Sequence, residues 1–203
     1  MLSQKAVESE AVRLGIPKPG NKLCLVIGSA PSALLHYEEF QSKFSDVPYD
    51  VMSINKSIFL IERADHFATR HPCILPGCKA ERRRRGWHLN FKTHCADQNY
   101  LVDEQRFKLP KNYGKKDFDY VWKVYYSSGS SSLLGIGCCI GIGYSGVVLC
   151  GVELTAHCII YQPYFINFAN GHQDYARSMG QHYRRIDRAF AKPDANWIGE
   201  TLK

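Results

Sequence analysis

Long apolar runs are missing from this chain of 203 residues: no stretch reaches the ~18 residues that a membrane-spanning helix needs. The opening MLSQKAVESEAVRLG interleaves charges with apolar residues and so lacks the apolar centre of an export signal; a cytoplasmic protein is expected. Acidic residues are in deficit, 19 against 26 basic ones, for a net charge of +7. That balance favours anionic partners: a nucleotide, a nucleic acid or an acidic sugar.

Two phosphate-binding signatures are also missing. The first turn, Gly28 to Ser32, holds one glycine and no following lysine, so it is neither G-x-G-x-x-G nor a P-loop. None of the eight cysteines forms a C-x-x-C pair. Cys24, Cys138, Cys139, Cys150 and Cys158 lie in or beside apolar runs and read as reduced, buried thiols. His71, Cys73, Cys78, His88, His94 and Cys95 are zinc-type side chains, but no C-x-x-C pair leads an H-x(3–5)-H block. They read as unrelated residues, and no metal is expected.

What is present is strand and helix in alternation. Ser3 to Leu14 has helical composition and ends at Gly15, Pro17 and Pro19, giving an N-terminal helical extension over 1–20. Lys22 to Ile27 and Gly146 to Val152 are apolar runs without alternation, as in strands covered on both faces. Between them, Asp50 to Ile54, Asp65 to Arg70 and Asp119 to Tyr126 read as strands, and a further one is expected near His88 to Thr93. Leu34 to Phe44, Lys56 to Arg63, Leu133 to Ile142 and Ser178 to Ala191 read as helices. The span 73–112, rich in Pro, Gly and Arg, reads as an irregular insertion or flap. The expected architecture is therefore α/β, a Rossmann-like three-layer sandwich with a mainly parallel sheet, in one domain over 1–203.

In such folds ligands lie beyond the carboxyl ends of the strands, and several polar residues fall there. Gly28, Ser29 and Ser32 form the first strand-to-helix turn, either an anion cradle or a plain capped corner. Asn55 ends the second strand, as a ligand group or a helix cap. Ser127 to Ser132, with Ser130 and Ser131 as the candidates, offers hydroxyls before an apolar helix. Glu153 ends the last strand, where it would orient a sugar hydroxyl or cap a helix, and His182 would serve as a general base if its helix faced the cleft. His71 and the tract Arg82 to Arg85, Arg82 and Arg85 in particular, are candidates for an anion or acceptor. Charge runs are, however, more often solvated helix faces.

Taken in order, VIGSAPS, MSIN, SSGSSSLLGIGCCIGIGYSGVVLCGVEL and GQHYRRIDRAF resemble the bacterial lipooligosaccharide-type sialyltransferases and the related 6-hydroxymethylpterin pyrophosphokinase-like proteins. The resemblance spans roughly Lys22 to Phe190 and implies a glycosyltransferase that moves a sugar from a nucleotide-activated donor, CMP-linked or of another nucleotide, to a hydroxyl on a glycan or other acceptor. It implies that Gly28 and Ser29 hold the phosphate region, that Asn55 and Ser131 contact the nucleotide or donor sugar, and that His182 is the base. Ser29 and Ala30 stand where that family has Asn and Gly, replacing an amide contact with a hydroxyl. The motif set holds no acidic metal-binding D-x-D, so metal independence is expected, with no cofactor required. A magnesium-dependent diphosphate transferase and a non-catalytic module binding nucleotide, or nucleic acid through the Arg tract, are the alternatives.

Overall fold

The computed structural model describes residues 3–30, 32–97, 114–125 and 131–152. Six strands form a single all-parallel sheet in the order β5-β4-β3-β2-β1-β6. They are β1 (Leu23–Ile27), β2 (Tyr49–Ile54), β3 (His66–Thr69), β4 (Lys92–Ala96), β5 (Tyr120–Trp122) and β6 (Gly146–Cys150). Helix α2 (Ala33–Lys43), a 3-10 turn over Asn55–Phe59 and helix α3 (Leu75–Arg84) pack on one face. Helices α1 (Gln4–Arg13) and α4 (Ser131–Ile142) cover the other. This is the expected α/β three-layer sandwich, and it follows from strands that are apolar on both sides: Cys24 and Val26 face α4, while Leu25 and Ile27 face α2.

The span after residue 72 differs from the irregular insertion that its composition suggests. Its described part, 73–97, supplies α3 and β4, and β4 runs over Lys92–Ala96, beyond the stretch near His88 to Thr93. Helix α3 holds despite Pro76 and Gly77 because Pro is tolerated in the first turn, and because Leu75, Cys78 and Arg82 fall on one buried stripe. The helix expected over Lys56 to Arg63 is only the five-residue 3-10 turn.

The N-terminal helix is part of the core. Ser3 Oγ accepts the Ala6 N–H at its start, and Val7 and Ala11 are buried against α4. A Cβ on Gly141 would lie 2.8 Å from the Val7 carbonyl oxygen, so the glycine is what lets α4 approach the backbone of α1. Glu10, 4 % exposed, accepts the Lys123 N–H at 2.6 Å and binds Arg13 through both carboxylate oxygens, tying α1 to the end of β5. These partners hold the Glu10 carboxyl below its usual range, the Arg13 hydrogen bond contributing most. No helix among the described residues is long and apolar enough to cross a membrane.

Candidate functional site at the carboxyl edge

At the carboxyl end of β2 the chain turns sharply at Asn55, whose φ of 53° is the left-handed region that asparagine tolerates better than most residues. Its Oδ1 accepts the Thr69 hydroxyl at 2.7 Å, so the Asn55 amide is oriented by the end of β3. Thr69 Oγ1 in turn accepts the His71 N–H at 2.9 Å, and Ser131 Oγ, at the start of α4, accepts the Arg70 N–H at 3.2 Å. Three separate parts of the chain are thereby joined at one edge: Asn55, the Thr69-Arg70-His71 corner, and Ser131. Arg70 and Ser131 are both buried. Among the described residues the Asn55 Nδ2 group has no acceptor, which leaves it as a donor for a ligand. Nearby, Ser57 Oγ donates to the Ile27 carbonyl at 2.6 Å and accepts the Ile54 N–H at 2.8 Å, locking the ends of β1 and β2 together.

The glycine turn is built differently from a phosphate cradle. The Gly28 N–H donates to the Cys150 carbonyl at 2.8 Å and the Ala30 N–H to the Gly151 carbonyl at 3.1 Å. Two of the N–H groups that would face an anion are thus spent on the end of β6. β1 and β6 are neighbours in the sheet, with Ile27 opposite Cys150. The order of the strands reverses between them, where doubly wound folds open a crevice. Here that crevice is closed by backbone hydrogen bonds. Ser29 is partly buried, and Ser32 occupies the N-cap position of α2 in helical geometry without capping it through its side chain.

The arginine tract is mostly occupied by the protein itself. Arg82 is wholly buried; its guanidinium donates to the carbonyls of Ile58 at 2.9 Å, Ile61 at 3.3 Å, His88 at 3.0 Å and Glu62. Trp87 and Phe91 flank it, with ring centres 5.1 and 5.5 Å away. Arg84 and Arg85 both bind Glu81, whose carboxyl they push down to about 2. Arg85 also donates to the Phe59 carbonyl at 2.9 Å. The tract therefore differs from a solvated face: of its arginines only Arg83 makes neither a side-chain hydrogen bond nor an ion pair among the described residues.

Ser130, Glu153 and His182 lie outside the described residues, as does the helix expected at Ser178 to Ala191. Asp117 and Asp119 have D-x-D spacing, but Asp119 is anchored by the Thr93 N–H and hydroxyl at 2.9 and 2.7 Å, and it precedes β5, at the amino end of that strand. Among the described residues no three His, Cys, Asp or Glu side chains gather as a metal site. Thr69 and Arg70 were not singled out by motif; their signal was their place at the end of a short strand beside Asn55. Comparison of the chain with protein-family models, with curated proteins and with solved structures finds no match in any of the three.

Proposed function

We propose that this protein binds a nucleotide-activated sugar at the carboxyl edge of its sheet and transfers the sugar to a hydroxyl acceptor. The observation that carries the reading is the joining of Asn55, the Thr69-Arg70-His71 corner and Ser131 at one edge, where Thr69 orients the Asn55 amide as a donor for a phosphorylated ligand. In transfer, the acceptor oxygen bonds to the anomeric carbon while the bond from that carbon to the nucleotide phosphate breaks. The acceptor proton passes to His182, and the phosphate leaves with the bonding electrons.

Asn55→Gly tests the site without straining the backbone, since glycine takes a positive φ freely. Loss of one hydrogen bond of about 1.4 kcal/mol corresponds to roughly tenfold weaker nucleotide binding at an unchanged far-UV spectrum. The binding screen uses thermal shift with CMP-, UDP- and GDP-sugars and with magnesium-ATP. A ligand at 100 times its dissociation constant adds about 2.7 kcal/mol of stability. A shift by a nucleotide sugar that weakens in Asn55→Gly supports the proposal. A shift by magnesium-ATP alone turns the reading toward diphosphate transfer, and no shift by any of them overturns it.

A further inference from the structure

Beneath α1 and α4 a chain of polar side chains crosses the sheet, apart from the carboxyl-edge site. Trp122 Nε1–H donates to His94 Nδ1 at 3.1 Å. His94 Nε2 meets His66 Nδ1 at 3.0 Å, and His66 Nε2 meets the Tyr144 hydroxyl at 2.8 Å. That hydroxyl donates to Asp50 Oδ2 at 2.8 Å, and Lys22 Nζ donates to Asp50 Oδ1 at 3.0 Å. Side chains from β5, β4, β3 and β2, the residue preceding β1 and the turn after α4 are thus linked in series.

The two ends fix the direction of every bond between them. An indole N–H can only donate and an ionised carboxylate can only accept. His94 therefore carries its proton on Nε2 and donates to His66, which carries its own on Nε2 and donates to Tyr144. A second proton on either ring places two hydrogens in one contact. His94 and Trp122 are wholly buried, whereas His66 is only partly so. His66 is also the ring with carboxylates in its surroundings, Asp50 on β2 and Asp65 just ahead of β3. The cations facing the pair are Lys22 and Lys92, with Arg63 3.9 Å from Asp50. Tyr120 of β5 packs its ring on His94, α4 brings Cys139 beside Cys24, and the Glu10–Arg13 pair of α1 lies at Lys123, beyond Trp122.

We propose that this chain of hydrogen bonds is an acid-sensitive latch on the corner between α4 and β6. His66 takes up one proton at Nδ1, the His66–His94 contact breaks, and the imidazolium turns to the carboxylates of Asp50 and Asp65, displacing Tyr144 from Asp50. The sheet hydrogen bonds stay; the turn at Gly143 to Ser145 loses the Tyr144 anchor and keeps the bond from the Ser145 hydroxyl to the Lys22 carbonyl at 2.8 Å. Burial holds both imidazoles below their ordinary value, so the unfolded chain binds protons that the folded one does not. The stability is complete above the unfolded value of about 6.5 and is lost as pH falls below it.

Nitrogen-15 NMR of the full chain tests the latch. At pH 7.5 both rings should be Nε2–H tautomers. Between pH 7.5 and 5 the Trp122 indole and Tyr144 ring signals should move in one shared transition, while the Trp87 indole stays still. His66→Asn should remove that shared transition and flatten the fall in melting temperature over the same interval. A cationic His66 or an Nδ1–H form of either ring at pH 7.5 overturns the proposal, as does a transition that persists in His66→Asn. If His66→Asn does not fold, the tautomers and the shared titration of the parent protein decide the matter.

Discussion

Arg82→Met is expected to lower stability by about 3–5 kcal/mol, measured by urea or thermal unfolding, because the substitution strands a set of buried acceptors. Methionine keeps the length of the stem and its contact with Trp87 and Phe91 but removes every donor. The carbonyls of Ile58, Ile61, Glu62 and His88 then lose the one group that served them all. These four acceptors lie around the loop between β2 and β3 and the chain leaving α3, two segments with little regular structure of their own. A loss of that size is a large part of the 5–15 kcal/mol that separates folded from unfolded chains. Arg83→Met is the control: its exposed side chain sits one residue away in the same tract, and its loss should change stability by no more than about 0.5 kcal/mol. Equal melting temperatures for the two variants would show that Arg82 is not the keystone of this corner. Arg82→Lys should rescue little, since one ammonium cannot reach four carbonyls in a plane.

The second large effect is expected from a single methyl group. In Gly28→Ala the new Cβ would stand 2.1 Å from the Gly151 carbonyl oxygen and 2.8 Å from its carbon. Both are backbone atoms, so no rotamer change relieves the overlap, and the two chain ends must part. The Gly28–Cys150 and Ala30–Gly151 hydrogen bonds would go with them. The cost should reach about 3 kcal/mol or more, at or above the upper end for overpacking. Gly151 is tied to the same contact, with φ of +64° and Ala33 Cβ 2.4 Å from where its own Cβ would be. Gly77 gives the opposite sign: it lies within α3 with nothing within 4 Å of a Cβ, so Gly77→Ala should stabilise by about 0.5–1 kcal/mol. Thermal melts of the two alanine variants beside the parent check both signs. If Gly28→Ala melts with the parent, the closed junction of β1 and β6 is wrong.

The elements most legible in the sequence were those whose burial is paid in apolar side chains. β1, β2, β6 and α4 lie within two residues of where their apolar runs place them, because a covered parallel strand must be apolar on both sides. β4 was displaced in the reading because Lys-Thr-His-Cys-Ala does not look like a covered strand. Its His94 can be buried only because Trp122 and His66 supply partners from two other strands. α3 carried an apolar stripe with an arginine as its third member, and an arginine is read as solvent-facing until its acceptors are known.

The same limit applied to the site. Gly28, Asn55 and Ser131 were identifiable as polar corners at strand and helix ends, and all three lie along the carboxyl edge. What each corner does was open. Gly28 proves to be held against β6, while Asn55 is turned by Thr69, a residue that no motif marked.

By itself the sequence determined the class of fold and the places of β1, β2, β6 and α4, since apolar burial depends on which residues neighbour one another along the chain. Only the tertiary structure decided what the polar residues do: which arginine is buried, which N–H groups are spent, and which histidines share a hydrogen bond. A hydrogen bond needs a partner at about 3 Å, and here the partners are drawn from strands and helices far apart in the chain.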